Sequence, residues 1–399
     1  MKTIYKLIPL VLIFITCSKS PTEPTFDGTF PDPAFEAAVR ASINLPEGKI
    51  TQAHLDTLTN LFGRSQNPKI SDISGIEFCK NLTYIDLANN NISDITHLEY
   101  CSNLEEIEIG NNNISDISTL KQLKELRVLL ANGNSISEFN SLAELPLLED
   151  LVLHNNNIGN INITAGFPKL DWLLLDNNNI NEIVSYPNLR ATSIDDNNIS
   201  NIDFVESLSR LRRISISGNN ISNISPLSTL DTLFHINVSN NHISDLTPLE
   251  KFANILDNLY IGNTIVSDYS PISKLTNLQI LAIDSCGISD ISFLANLIKL
   301  EDLYAKNNNI EDISSLSSLQ KLARLTLWYN NVEDITALKS MPKLNYIDID
   351  NNLVQDLKPL VDNNDLVGCE IFIRDNPLSD QSINEYIPIL EARGIEVVY

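Results

Sequence analysis

Cysteines and histidines are the side chains of this 399-residue chain whose types and spacing could support chemistry. Cys79 and Cys101 stand 22 residues apart, at the same place in two adjacent segments of similar sequence. If those segments stack, the two thiols lie about 5 Å apart, close enough to form a disulfide in an exported protein. The alternative is that both thiols are buried and pack as small apolar groups.

The remaining cysteines and histidines do not indicate a metal site. Cys286 and Cys369 fall in different segments, and no cysteine pair has the spacing of metal ligands. His154 and His235 face the same way but are four segments apart, which at ~4.8 Å per segment is roughly 19 Å and too far to share a metal. We therefore expect no bound metal.

An enzyme would need a catalytic constellation, and the sequence offers no phosphate loop, nucleophile elbow or isolated carboxylate pair. Several acidic residues fall on predicted strands and could bind calcium weakly, although a solvated face is the simpler interpretation. We expect a non-enzymatic protein without a cofactor. These acidic residues are Glu106, Glu108, Asp195, Asp196, Asp348 and Asp350.

The charge balance limits the classes of partner. The net charge is −24 and the pI is near 4.5. A surface this acidic repels phosphate groups, so it argues against nucleic acid and anionic lipid as partners.

One motif recurs along most of the chain, and its first full copy reads Leu82-x-x-Ile85-x-Leu87-x-x-Asn90-x-Ile92. Thirteen copies follow one another at 22 residues, except for a gap of 19 before Leu189 and of 23 before Leu256. A fixed period of this length indicates a stacked solenoid, in which each coil buries its aliphatic residues against its neighbours. The copies open at Leu82, Leu104, Leu126, Leu148, Leu170, Leu189, Leu211, Leu233, Leu256, Leu278, Leu300, Leu322 and Leu344.

Each copy has two halves with different patterns. Alternation at Ile85, Asp86 and Leu87 predicts a short strand with one buried face. An asparagine follows the strand in eleven of the thirteen copies, and Thr264 and Cys286 replace it in the other two. Its amide can satisfy backbone groups in a tight turn, so we expect a structural asparagine ladder. The second half is too short for a long helix and predicts turns and short 3₁₀ pieces capped by Asp or Asn.

The motif L-x-x-L-x-L-x-x-N-x-I resembles leucine-rich repeats, and the 22-residue period with its S-D-I-x-x-L half resembles the bacterial internalin subclass. The resemblance covers about residues 30–399. It implies an α/β solenoid: a leucine-rich repeat horseshoe with short parallel strands on its concave face, a helical N-terminal cap and a helix-strand C-terminal cap. It also implies recognition of a protein partner on the concave face, with adhesion as one form of that function.

Residues 1–17 resemble the signal peptide of a bacterial lipoprotein. Lys2 and Lys6 precede an apolar run that is too short to span a bilayer comfortably, and Cys17 stands just after it. In such signals the cysteine is acylated, so Cys17 is the candidate lipid anchor and the one expected contact with a membrane. Ordinary cleavage and free secretion are the alternative. The expected location is the bacterial cell envelope or cell surface, or otherwise the extracellular medium.

The cap sequences predict specific elements. Asp32 should cap a first helix that starts at Pro33, and a second helix should run from Thr51 to Phe62. Near the C-terminus, Pro388 should kink the helix of the second cap. The predicted regions are a signal peptide at 1–17, a flexible tether at 18–30, the helical cap at 31–69, the repeats at 70–367, and the last strand with its cap at 368–399.

Two stretches of outward strand positions depart from the polar pattern of the other copies, and we predict that they bind the partner. An apolar patch on three consecutive coils comprises Val128, Leu130, Val152, Trp172 and Leu174. Aromatic and arginine residues of later coils, a composition typical of interface hot spots, comprise Tyr260, Tyr304, Arg324, Trp328, Tyr329, Tyr346 and Phe372.

Other interpretations of the same residues remain open. Aromatic residues have high strand propensity and can occupy a sheet without binding anything. Aromatic platforms flanked by Asp would also suit sugars, so a glycan-binding envelope protein is one alternative. A structural spacer without a specific ligand is another.

Overall fold

The computed structural model describes residues 26–159, 161, 166–183, 186 and 188–399. The predicted signal peptide, Cys17 and most of the predicted tether lie outside these ranges. None of the helices in these ranges has the length and apolar character that a bilayer crossing requires.

Short parallel strands form one sheet of 16 strands that follow one another in chain order. Each has three residues, and equivalent places of neighbouring coils are paired, as Ile85 is with Ile107. The strands are β1 Asn60–Phe62, β2 Tyr84–Asp86, β3 Glu106–Glu108, β4 Val128–Leu130, β5 Asp150–Val152, β6 Trp172–Leu174, β7 Ala191–Ser193, β8 Arg213–Ser215, β9 His235–Asn237, β10 Asn258–Tyr260, β11 Ile280–Ala282, β12 Asp302–Tyr304, β13 Arg324–Thr326, β14 Tyr346–Asp348, β15 Glu370–Phe372 and β16 Glu396–Val398.

The middle residue of each strand points into the coil, and the two outer residues point to the face of the sheet. Ile107 is fully buried, whereas Glu106 and Glu108 are half-buried. The inward residues join the aliphatic residues of the second half in one continuous core from Phe30 to Ile395. The solenoid predicted from the period is therefore confirmed.

The asparagine ladder joins each coil to its neighbours, as predicted. The amide nitrogen of Asn112 donates to the carbonyls of Ile109 in its own coil and of Leu87 in the preceding coil, both at 3.0 Å. Its amide oxygen accepts from the backbone N–H of Ile92 at 2.9 Å. Because these backbone groups are buried, each ladder asparagine removes a large desolvation cost.

Most coils turn through a left-handed residue immediately before the ladder position. Asn89, Asn111 and Gly133 have φ between +55° and +65°, a region that Gly and Asn tolerate and other residues avoid. Tyr329 holds the same place with φ +55°.

Short 3₁₀ turns form the opposite side of the coils. The carboxylate of Asp94 accepts from the N–H of Thr96 at 2.8 Å, which confirms that the repeated acid caps the turn. The 3₁₀ turns are Ile76–Phe78, Thr96–Tyr100, Ser118–Gln122, Asn140–Glu144, Asp203–Ser207, Ser225–Thr229, Thr247–Phe252, Ser270–Lys274, Ser292–Asn296, Ser314–Ser318 and Thr336–Ser340; the last coil has a short α-helix instead, α3 Lys358–Asp362.

The first predicted cap helix is confirmed as α1, Pro33–Ser42. One carboxylate oxygen of Asp32 accepts from the N–H groups of Ala34 and Phe35, at 2.8 and 3.1 Å. The other accepts from the N–H of Ser71 at 2.7 Å, so Asp32 also ties the cap to the first coil.

The predicted second helix is wrong beyond its first turn. Only α2, Gln52–Leu55, is helical, and Asn60–Phe62 is strand β1, which pairs with β2. Leu61 is buried between exposed neighbours, and Phe62 is 57 % exposed. The open edge of β2 offers backbone hydrogen bonds that a strand can use and a helix cannot.

The C-terminal cap has the predicted helix and edge strand. A π-helical turn, Ser382–Tyr386, leads into α4, Ile387–Ala392, and β16 pairs with β15. Pro388 lies inside a helical run that continues from Asp380 to Ala392, shortly after the π-helical turn. Such turns occur where the regular backbone hydrogen bonds of a helix are interrupted, as they are by a proline. The kink at Pro388 stays a prediction. Gly394 ends the helix with φ +78°.

Candidate functional site

The outward strand residues form two parallel rows across the sheet. Leu130, Val152 and Leu174 are direct neighbours in one row. In the other row Asp150 lies between Val128 and Trp172. The predicted apolar patch is therefore a continuous row of three aliphatic residues, with Trp172 beside it and Val128 cut off by a carboxylate.

These residues are less exposed than an isolated strand would leave them. Trp172 is 41 % exposed, whereas Val128, Leu130, Val152 and Leu174 are half-buried. Neighbouring strands at ~4.8 Å spacing cover much of each other's outward side chains.

The aromatic residues of the last coils form two groups of contacting side chains on the strand face. The rings of Tyr346 and Phe372 are 5.4 Å apart. The guanidinium carbon of Arg324 lies 4.2 Å from the centre of the Tyr346 ring, and that of Arg374 lies 5.8 Å from the Phe372 ring. We call these residues, together with Trp328 and Tyr329, the aromatic cluster.

Trp328 and Tyr329 follow strand β13 and lie at the edge of the same strand face. Their rings are 5.0 Å apart, and the ammonium of Lys306 lies 5.4 Å from the Trp328 ring. Tyr329 is 52 % exposed. Its left-handed backbone costs about 1–2 kcal/mol for a residue of this kind, so the structure keeps an exposed ring there at the expense of stability.

Tyr260 and Tyr304 are not part of the aromatic cluster. Ala282 lies between them in one row, and the Tyr260 ring instead contacts His235 at 5.4 Å. Trp172 on β6 and Arg324 on β13 are seven strands apart, roughly 34 Å along the sheet at ~4.8 Å per strand. The predicted residues therefore lie on one face but in separate places.

Acidic residues of the face are partly buried among their neighbours. Burial raises the pKa of Asp195 to about 6, although Ser215 Oγ and the N–H of Ser217 donate to its carboxylate at 2.7 and 2.6 Å. Burial also raises the pKa values of Glu106 and Asp348. Within the described ranges, no group of three or more His, Cys, Asp or Glu side chains is placed to hold a metal ion.

Cys79 and Cys101, the candidates for a disulfide, are free thiols in this structure. Both thiols are free and fully buried, and Cys101 Sγ donates to the carbonyl of Ile76 at 3.3 Å. Burial raises the pKa of both thiols, that of Cys101 to about 12. In this arrangement both thiols pack in the core as small apolar groups.

Sequence reasoning missed a basic pocket beside Trp172. A cavity of about 280 Å³ lies between Trp172 and a group of arginines, and its floor is Ala191. The signal was available as an arginine-rich stretch, Arg210 to Arg213, in an otherwise acidic chain.

A larger open groove lies away from the strand face. Its volume is about 1190 Å³, and it runs over three neighbouring coils between acidic residues such as Glu311, Asp312, Glu333 and Asp334. It does not coincide with any residue predicted to bind a partner.

Comparison with known proteins supports the repeat assignment. The family model for leucine-rich repeats in two copies matches residues 80–122, 102–144, 298–339 and 320–362. No curated protein matches the chain by sequence.

Solved structures share the fold over most of the chain. An internalin, InlF of Listeria monocytogenes, is 29 % identical, with 84 % of this chain and 94 % of that chain covered and a TM-score of 0.68. The functional domain of InlJ from the same organism is 22 % identical over 91 % of this chain and 78 % of its own, with a TM-score of 0.71. The plant peptide hormone receptor RGFR1 in complex with RGF2 is 18 % identical over 77 % of this chain and 57 % of its own, with a TM-score of 0.55.

Proposed function

The chain is a leucine-rich repeat protein with an internalin-like fold, and from this premise we propose that it is a non-enzymatic recognition protein that binds a protein partner. The binding surface in this proposal is the concave strand face. The observation that carries it is the aromatic cluster, in which Arg324 stacks on Tyr346 beside Phe372.

The composition of the cluster suits a protein ligand. Trp, Tyr and Arg dominate the energetics of protein interfaces, because they bury large areas and still offer a polar group. The exposed Tyr329 adds to this argument, because the neighbouring coils place Asn307 and Asn351 at the same left-handed position, whereas this coil keeps a large ring there. RGFR1, a plant peptide hormone receptor that shares the fold, is solved in complex with RGF2.

The first test is a crosslinking pull-down that captures molecules from the surfaces of cells and from extracellular material. The full chain is compared with a Trp172→Asp, Trp328→Asp, Tyr346→Asp variant that circular dichroism shows to be folded. A matched variant places three aspartates on exposed apolar residues outside the strands, at Tyr100, Ile298 and Val367, which are 56 %, 59 % and 76 % exposed.

We call the Trp172→Asp, Trp328→Asp, Tyr346→Asp protein the strand-face variant. We expect the parent and the matched variant to capture a protein that the strand-face variant does not capture. Equal capture by all three would move the site away from the strand face. Capture of polysaccharide but of no protein would favour the glycan-binding alternative, and no capture at all would favour the spacer.

The proposal includes export and attachment to the cell envelope through acylated Cys17. The sequence of residues 1–17 supports it. Replacing Cys17→Ser in the producing bacterium should shift the protein from the membrane fraction to the medium, and mass spectrometry of the parent should find acyl chains on Cys17. An unmodified, freely secreted parent would contradict the anchor without affecting the binding proposal.

A further inference from the structure

Arginines are concentrated at one place on the strand face. The chain has ten arginines and a net charge of −24, yet Arg190, Arg210, Arg212 and Arg213 all come from two neighbouring coils. All four are exposed. A local concentration of guanidinium groups in an acidic protein provides a positive potential that the rest of the surface does not have.

Three strands place Trp172, Ala191 and Arg213 side by side. They are direct neighbours in one row of β6, β7 and β8. Ala191 is only 4 % exposed, because the larger residues on both sides cover it. The two larger residues are roughly 10 Å apart across the sheet at ~4.8 Å per strand, which leaves room for one planar group above the alanine.

The cavity of about 280 Å³ above Ala191 combines an apolar floor with positive walls, and we call it the arginine pocket. It is lined by Trp172, Arg190, Ala191, Arg212, Arg213 and Phe234.

The arginines of the pocket differ in their partners. Asp171 binds Arg190 with both carboxylate oxygens, which holds that guanidinium in place. In the part of the chain that the structure describes, neither Arg212 nor Arg213 forms an ion pair. The guanidinium carbon of Arg213 lies 6.0 Å from the Phe234 ring. Two guanidinium groups are thus available to an incoming anion.

The neighbouring histidine adds no positive charge at this place. His235 is paired with Arg213 on the adjacent strand. Burial, and secondarily the charge of Arg213, lower the pKa of His235 to about 4. His235 is therefore neutral at physiological pH, and the positive charge of the pocket comes from arginine alone.

Acidic residues border the pocket and restrict the size of its ligand. Asp150 is the neighbour of Trp172 on the other side of the same row, and Asp171 lies beneath Arg190. An extended polyanion would place charges against these carboxylates, whereas a single carboxylate would meet only the guanidinium groups. Guanidinium and carboxylate are planar and form paired hydrogen bonds.

We propose that the arginine pocket binds one Asp or Glu side chain of the protein partner, with Trp172 packed against the stem of that side chain. This inference rests on the proposed function and specifies the chemistry of the partner at one place. It predicts a partner segment with a single acidic residue among neutral ones, and it makes Arg212 and Arg213 specificity-determining residues.

Fluorescence of Trp172 provides a direct test. The chain has two tryptophans, so a Trp328→Phe variant of the full chain leaves Trp172 as the only one. The probe is the capped pentapeptide Ala-Gly-Glu-Gly-Ala, and the matched control peptide has Gln in place of Glu. We expect a saturable change in emission with the Glu peptide and none with the Gln peptide.

Two pairs of substitutions separate the pocket from the general charge. Replacing Arg212→Gln and Arg213→Gln together should weaken binding of the Glu peptide roughly tenfold or more, since hydrogen bonds between charged groups are strong. Replacing Arg127→Gln and Arg393→Gln removes the same charge elsewhere and should leave binding unchanged.

Three outcomes would overturn the inference: no response to the Glu peptide, an equal response to the Gln peptide, or equal losses in both arginine variants. Tighter binding of a sulfated polysaccharide than of the peptide would replace it with a polyanion site. If the pull-down partner is lost by the strand-face variant but kept by the Arg212→Gln, Arg213→Gln variant, the proposed function stands and only the arginine pocket fails.

Discussion

The guanidinium carbon of Arg324 lies 4.2 Å from the centre of the Tyr346 ring, and the two residues face each other directly on β13 and β14. A cation over an aromatic ring at an exposed site contributes about 0.5–1 kcal/mol to folding. The same groups can contribute more to binding, because a partner would exclude water from them.

The first prediction concerns Arg324→Gln. We expect the free energy of unfolding, measured in urea, to fall by less than about 1 kcal/mol, while capture of the partner falls roughly tenfold. Lys321→Gln, which removes the same charge from an exposed position just before the coil that holds Arg324, should change neither quantity. Unchanged capture by Arg324→Gln would show that the aromatic cluster does not bind the partner.

Tyr329→Asn should separate stability from binding. Asparagine relieves about 1 kcal/mol of left-handed strain, and it can join the side-chain ladder that Asn307 and Asn351 enter on either side. Loss of the exposed contact with Trp328 costs about 0.5 kcal/mol. We expect a more stable protein in urea unfolding that captures less partner. A variant that gains stability and keeps full capture would remove Tyr329 from the binding site.

The repeat pattern was sufficient to predict the coils, because the period and the residue types agree in most copies. Alternation around Ile85 gave the strand, and Asn90 gave the turn that follows it. The extent of the second helix in the N-terminal cap could not be predicted in the same way. The residues near Phe62 have weak helical periodicity, and the deciding factor is the open edge of β2, which only the folded array provides.

The binding face was predicted in outline but not in detail. Counting from each opening leucine places Trp172, Ala191 and Arg213 in one row, so the arginine pocket was accessible to that reasoning. What the sequence cannot give is the choice of ion partners: Asp171 pairs with Arg190, and Arg213 has no ion pair among the described residues. Exposure was also overestimated, since ten of the twelve predicted binding residues are half-buried by neighbours across the sheet.

Asp195 should make stability depend on pH. Burial raises its pKa from an ordinary value near 4 to about 6. Below about pH 4 the carboxyl group is protonated in both the folded and the unfolded state. Between about pH 4 and pH 6 it ionises in the unfolded state but not in the folded state, so the free energy of unfolding falls as the pH rises. Above about pH 6 it is ionised in both states, and its contribution no longer changes with pH.

Asp195→Asn keeps an oxygen acceptor for Ser215 and removes this dependence. Urea unfolding should give the variant and the parent similar free energies of unfolding near pH 4. Above pH 6 the variant should be more stable by about 1–2 kcal/mol, after allowance for solvent screening. Asp380→Asn at an exposed position is the control. A difference that does not change with pH would contradict the shifted pKa.

The four described cysteines should be unreactive in the folded protein. Cys79, Cys101, Cys286 and Cys369 are all buried, and burial raises their thiol pKa values. Because the thiolate is the reacting form, Ellman's reagent should modify none of them until urea unfolds the chain. Unfolding without reductant should then release all four thiols. Two missing thiols would show that Cys79 and Cys101 form a disulfide after all.

Thr264 occupies a ladder position without doing what asparagine does there. Its hydroxyl is buried and has no hydrogen-bond partner among the residues that the structure describes. The hydroxyl of Tyr269 compensates in part, since it lies 3.0 Å from the Thr264 carbonyl and 2.9 Å from the Cys286 carbonyl.

We expect Thr264→Asn to raise the free energy of unfolding by about 1 kcal/mol, because the amide can satisfy carbonyls of two adjacent coils. The reverse change at a regular position, Asn241→Thr, should lower it by about 2–3 kcal/mol, since the buried carbonyls of Ile216 and Val238 would lose their donor. Urea unfolding of both variants measures the two effects. If Thr264→Asn destabilises the protein while Asn241→Thr behaves as expected, Tyr269 occupies the space that the asparagine needs, and the ladder is interrupted there for reasons of packing.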